Sequence, residues 1–201
     1  PAIETPGGVT TWGALMRRTD ALGAALHAAG VTAVESPTRS GDGWACPNPR
    51  VALYLHNHPA YLEAMVGAWK ARATAANVNY RYRADELVHL LGDARPAAVV
   101  YHQCFASTLA DVLGRLAVAP LLWCVPDGSG HELLPGARWY EDVLAEAPPL
   151  PDSLRHAWHP EDRYLVYTGG TTGAPKGVLW RQSDFAVAAL GFDPTLLDGP
   201  D

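Results

Sequence analysis

The chain is poor in lysine, in cysteine and in long apolar runs, and each shortage narrows what it can be. Only two of its 15 basic residues are lysines, Lys70 and Lys176, and with 21 acidic residues the formal net charge is −6. A nucleic-acid binder presents a basic patch or stripe. No Lys/Arg run with interleaved aromatics occurs here, so no nucleic-acid partner is expected. The three cysteines, Cys46, Cys104 and Cys124, are odd in number and widely spaced, without a CxxC pair. That pattern fits a reducing compartment better than a disulfide framework. The longest apolar run, 116–125, is broken by Pro120 and falls far short of the ~20 residues that cross a bilayer. The N-terminal stretch PAIETPGGVT is polar and lacks Lys and Arg, unlike a secretory signal. The expectation is a cytoplasmic protein with no integral membrane segment.

What is present is a globular composition, 48% apolar and 18% charged over 201 residues, long enough for one domain with a substantial core. TWGALMRRTDALGAALHAAG reads as a helix capped by Thr11, with Leu15, Leu22 and Leu26 on one face and Gly30 as its stop. VALYL (51–55) reads as a buried strand. A helix follows from Pro59 with the apolar stripe Leu62, Met65, Val66 and Trp69. TAANV is a second strand. ADELVHLLG is a short helix with Leu87, Leu90 and Leu91 inward and Gly92 at its end. Strands at 97–101 and 121–125 flank a helix over 103–117. A further strand, RYLVY (163–167), runs directly into a glycine-rich segment, and GVLWRQ leaves it before a helix starting at Ser183 or Asp184. Strands that are apolar on both faces and alternate with helices imply an α/β fold, a mostly parallel sheet covered on both sides. Residues 35–50 and the proline-rich 147–160 read as loops.

The segment YTGGTTGAPKG (167–177) carries the chemistry. A polyphosphate needs many hydrogen-bond donors converging on a small volume. Glycines bring backbone N–H groups close and hydroxyls add donors; a lysine supplies a point charge suited to phosphate oxygens. Gly169, Gly170 and Gly173 provide the backbone freedom, Thr168, Thr171 and Thr172 the hydroxyls, and Lys176 the charge. The order Lys176-Gly177 before an apolar run is not the Gly-Lys-Ser/Thr of the P-loop, and GxGxxG is absent. A bare glycine-rich hairpin is the plain alternative; the density of hydroxyls and the placing of a scarce lysine favour phosphate binding.

These residues resemble the phosphate-binding signature of the adenylate-forming enzymes, a superfamily of acyl-CoA synthetases, luciferases and peptide-synthetase adenylation domains. The match runs from Thr168 through Lys176. The resemblance extends over the first helix and over the block 51–101, with Asn57 and Asn79 where the family commonly carries asparagine; the insertion at 35–50 is where the chain departs from it. NVNYRYRADEL and KGVLWRQ are most similar to actinobacterial fatty-acyl and steroid-side-chain CoA ligases. The resemblance implies that residues 1–201 are the N-terminal part of the AMP-binding domain, with the C-terminal domain absent. It implies an ATP-dependent acid–thiol ligase that makes an acyl-adenylate from a carboxylic acid and transfers the acyl group to CoA. The acid is expected to be fatty or similarly hydrophobic. Thr168, Gly169, Gly170, Thr171, Thr172, Gly173 and Lys176 would hold ATP, Mg2+ would be bound by a residue outside this sequence, and the enzyme could act as a homo-oligomer. An aryl acid, a carrier-protein acceptor, and a truncated non-catalytic remnant are the alternatives.

Three charge-assisted hydrogen bonds from the loop would contribute roughly 4.5–9 kcal/mol. Association costs about 4–15 kcal/mol. The 201 residues alone are therefore expected to be inactive and to bind ATP weakly. His56-Asn57-His58 and His156, His159 with Asp162 are weak metal candidates that complete no known ligand spacing, so no metal is assigned to them. Trp180-Arg181-Gln182 either face the site or finish a strand, and Cys104 and Cys124 are expected to be packed.

Overall fold

A computed structural model describes residues 1–33, 46–169 and 174–196; most of the expected loop at 35–50 and the loop residues Gly170, Thr171, Thr172 and Gly173 lie outside them. An antiparallel pair, β1 (Ile3–Thr5) and β2 (Gly8–Thr10), precedes α1 (Trp12–Ala28). There follow β3 (Arg50–Tyr54), α2 (Pro59–Lys70), β4 (Thr74–Asn77), α3 (Ala84–Ala94), β5 (Ala98–His102) and α4 (Ala106–Leu113). The rest is β6 (Leu121–Val125), β7 (Arg138–Trp139), α5 (Tyr140–Ala145), α6 (Asp152–Arg155), β8 (Arg163–Thr168), β9 (Lys176–Arg181) and α7 (Gln182–Leu190). The main sheet has the order β7-β6-β5-β3-β4-β8-β9, and every neighbouring pair is parallel except β8 with β9.

Period-two alternation sorts each inner strand between two cores. Val51 and Leu53 point toward Leu22, Leu26, Ala64, Ala68 and Tyr140 of α1, α2 and α5. Ala52 and Tyr54 point toward Leu87, Leu90, Leu91 and Leu109 of α3 and α4. The result is the expected three-layer α/β arrangement. Each fully buried leucine contributes about 1.5–3 kcal/mol.

The expectations for α1 hold: Thr11 Oγ1 accepts from Ala14 N at 3.2 Å, and Gly30 takes the left-handed conformation at φ 76°. The stripe on α2 needs correction. Its buried face is Ala60, Glu63, Ala64, Gly67 and Ala68, whereas Leu62 is exposed. The reason is close approach, because a Cβ on Gly67 would lie 2.6 Å from Leu22 Cδ2. Small residues let α1 sit on α2, and the bulky ones pack to the side, Trp69 edge-on against Tyr164 with ring centroids 5.7 Å apart. Gly92 does not end α3, which continues to Ala94; Arg95 takes the left-handed position instead, at φ 44°. The helix expected over 103–117 is shorter, a 3-10 turn at Gln103–Phe105 followed by α4. The stretch 147–160 contains the single-turn helix α6. The β1–β2 pair, β7 and α5 are further elements that the sequence pattern did not mark.

Candidate functional site

The chain enters the glycine-rich segment from β8 and leaves it along β9. β8 is parallel to β4, so its last residue lies at the carboxyl edge of the sheet; β9 turns back antiparallel and puts Lys176 opposite Thr168. Both are exposed, as is Gly169. The structure thus brings Thr168, Gly169 and Lys176 to one hairpin root, and the other expected site residues lie between them in sequence.

Helix α3 holds both arms of this hairpin. The Tyr167 hydroxyl donates to Asp93 Oδ2 at 2.6 Å on the β8 arm. His89 Nε2 lies 3.2 Å from the Pro175 carbonyl on the β9 arm, and because a carbonyl only accepts, that nitrogen carries the proton. Burial, and then Asp93, push the Tyr167 phenol well above its ordinary pKa, so it remains a donor. Where the β4–β8 ladder ends, Asn77 Oδ1 takes the next N–H, that of Tyr167, at 2.7 Å. Gly177 is demanded by packing: a Cβ there would lie 3.0 Å from Leu165 Cδ1 and 3.2 Å from Tyr167 Cζ. Tyr82, in the crossing from β4 to α3, belongs to the buried cluster that includes Leu87 and Leu91, and its hydroxyl faces Gly169. None of Asn77, Tyr82, His89 or Asp93 was singled out from sequence. The available signal was the four-residue spacing of His89 and Asp93 on the same side of a leucine-rich helix.

The amino end of β8 is held differently. The buried Asp162 carboxylate accepts from Arg72 Nη2 at 2.9 Å, from Arg72 Nε at 3.1 Å and from Asn48 Nδ2 at 3.0 Å. Arg181 binds Glu161 and Asp184, and Gln182 accepts from Trp158 Nε1 at 2.9 Å. Arg181 and Gln182 therefore finish a strand and begin a helix, while Trp180 stays 40% exposed.

The histidines serve the fold. His102 Nδ1 accepts from the His56 backbone N–H at 2.9 Å, and His58 Nδ1 caps α2 by accepting from Ala60 N at 3.1 Å. Burial, then His58, lowers the His102 pKa to about 4, so this imidazole is neutral at pH 7. His159 Nδ1 accepts from Glu161 N at 3.2 Å. Among the described residues no group of three or more His, Cys, Asp or Glu is arranged to hold a metal ion. Cys124 is fully buried and Cys104 half-buried. Burial and the neighbouring Asp127 push the Cys104 thiol up to about 12, so neither its exposure nor its ionisation favours reactivity.

A parallel three-layer sheet with a hydroxyl- and lysine-flanked hairpin at its carboxyl edge defines the class, an open α/β domain of the kind that receives ligands outside its strand ends. The chain belongs to the AMP-binding enzyme family, whose model matches residues 1–198. It is 40% identical over 181 residues to the medium-chain acyl-CoA ligase Mig of Mycobacterium avium, covering 90% of this chain and 32% of that protein. It is 34% identical over 139 residues to a 3-oxocholest-4-en-26-oate–CoA ligase of Rhodococcus rhodochrous, covering 69% of this chain and 25% of that one. The chain thus spans a quarter to a third of the length of these relatives. Among solved structures it resembles the anthranilate CoA ligase AuaEII, with a TM-score of 0.75 at 22% identity over 93% of this chain and 32% of that one. A benzoate CoA ligase from Burkholderia xenovorans LB400 has a TM-score of 0.69 at 20% identity, over 93% of this chain and 34% of that one. Both likenesses bear on the fold, which agrees with the expectation from sequence. No helix among the described residues is long and apolar enough to cross a membrane.

Proposed function

We propose that the native polypeptide carrying this chain is an ATP-dependent acyl-CoA synthetase acting on a fatty or related hydrophobic carboxylic acid. A carboxylate oxygen attacks the α-phosphorus of ATP, the bond to the bridging oxygen breaks, and pyrophosphate leaves. The CoA sulfur then attacks the acyl carbon and AMP departs. In this chain Thr168, Gly169, Gly170, Thr171, Thr172, Gly173 and Lys176 hold the β- and γ-phosphates while charge builds on the leaving pyrophosphate. The observation that carries the reading is the hairpin root itself. Thr168 faces Lys176 in register at the carboxyl edge of a parallel sheet, with both arms tied to α3. The hydrophobic acid is supported by relatives whose names specify medium-chain and steroid-derived acids. Mg2+ would be held by a residue outside this sequence. The site lies in the cytoplasm, and a homo-oligomer is compatible with it.

The test is ATP–pyrophosphate exchange by the native polypeptide with a panel of fatty, steroid and aryl acids. Replacing Thr171, Thr172 and Lys176 together by alanine is expected to reduce exchange by at least about a hundredfold, the loss of two or more charge-assisted hydrogen bonds. Unchanged exchange in that variant would overturn the reading. A product found on a carrier protein instead of CoA would change only the acceptor.

A further inference from the structure

Tyr82 is 8% exposed, yet its hydroxyl has no hydrogen-bond partner among the described residues. Its neighbour across the site, Tyr167, shows how the same group is ordinarily satisfied, by a carboxylate at 2.6 Å. A buried hydroxyl left without a partner is a cost that native cores rarely retain without a use. The direction in which this one faces supplies the use. A Cβ placed on Gly169 would stand 3.7 Å from the Tyr82 oxygen, so the hydroxyl faces the first glycine of the loop. The side chain belongs to the same buried cluster as Leu87 and Leu91, and the backbone N–H of Tyr82 is tied to the Asn79 carbonyl at 3.0 Å. Burial, and then the charge of Glu86, raise the phenol's pKa, so it stays protonated and offers a donor.

We infer that the Tyr82 hydroxyl is a nucleotide-binding group, donating a hydrogen bond to a phosphate oxygen of ATP that lies over Gly169. This rests on the phosphate-loop reading above and adds a donor from outside the glycine-rich segment. A donor fixed before the ligand arrives needs no reorganisation when charge develops on the phosphate chain.

The experiment compares Tyr82→Phe with the unaltered native polypeptide, measuring the thermal midpoint without ligand and its shift with ATP and with inorganic pyrophosphate. Where acyl-CoA formation is measurable, KM for ATP and for CoA are added. Loss of the donor is expected to weaken ATP about tenfold or more and to shrink both ligand-induced shifts, leaving KM for CoA within about twofold. The ligand-free midpoint is expected to stay level or rise, because the hydroxyl has no partner among the described residues to lose. A midpoint lowered by several degrees with ligand shifts unchanged would make the hydroxyl structural and overturn the inference. So would unaltered ATP and pyrophosphate shifts at an unaltered midpoint. Lys176→Ala, measured alongside, separates the two readings. If it weakens ATP and Tyr82→Phe does not, this inference alone falls; if neither does, the phosphate-loop reading falls with it.

Discussion

The two edges of the sheet handle buried polarity in opposite ways. At the amino edge a charge is buried and fully matched: Asp162 receives the fork of Arg72 and the amide of Asn48, tying the start of β8 to the α2–β4 turn. At the carboxyl edge the buried polar groups are held neutral. His102 is depressed, Cys104 is raised, and the Tyr82 hydroxyl has no partner among the described residues. The amino edge spends its polar groups on cohesion, whereas the carboxyl edge, besides its own ties to α3, leaves the Tyr82 hydroxyl without a partner among the described residues beside exposed Thr168 and Lys176. A single strand, β8, links them, so its anchored start and its exposed end at Thr168 are separated by six residues.

The largest test of that contrast removes the amino-edge anchor. Asp162→Ala leaves a mostly buried guanidinium uncompensated and is expected to cost about 3–5 kcal/mol in denaturant unfolding. A loss below 1 kcal/mol would abolish the contrast. Acidification should strike the other edge. The folded pKa of His102, about 4, lies below its ordinary 6.5, so the unfolded chain takes up the proton first. Its contribution is therefore present above pH 6.5 and is lost as pH falls toward 4, about 3 kcal/mol in all. His102→Asn, which keeps an acceptor for the His56 N–H, should flatten that part of the stability–pH curve. An unchanged slope would show that His102 is not buried as a neutral group.

Smaller effects refine the hairpin. Tyr167→Phe removes one donor to Asp93 and is expected to cost about 1 kcal/mol, read as a thermal-midpoint drop of roughly 2–4 °C. Lys176→Ala, at an exposed position, should change stability by no more than about 0.5 kcal/mol while weakening ATP in the native polypeptide. A large stability loss there would place Lys176 among the cohesive residues and contradict its assignment to ligand.

Much of the main sheet was legible because its signals are local. Val51–Leu53, Val99–Val100 and Leu122–Cys124 are short apolar runs between helical repeats, and Thr11 and Gly30 mark helix ends by chemistry that needs no distant partner. The stripe on α2 misled because leucine and tryptophan outweigh alanine in any hydrophobic pattern, yet helix approach is set by the smallest side chains at the crossing, Gly67 against Leu22. Gly92 misled because a glycine can sit inside a helix when packing continues through Ala94. Two-residue β7 and six-residue α5 are too short for periodicity to register.

By itself the sequence determined the class of fold and marked the glycine-rich segment proposed to hold phosphate, since both depend on residues adjacent along the chain. Only the tertiary structure decided which groups stand around that segment. His89 and Asp93 come from one helix, Asn77 from a neighbouring strand and Tyr82 from the crossing between them. Those four meet the hairpin across 74 to 90 residues of chain, a proximity created by parallel strand pairing and invisible to any local pattern.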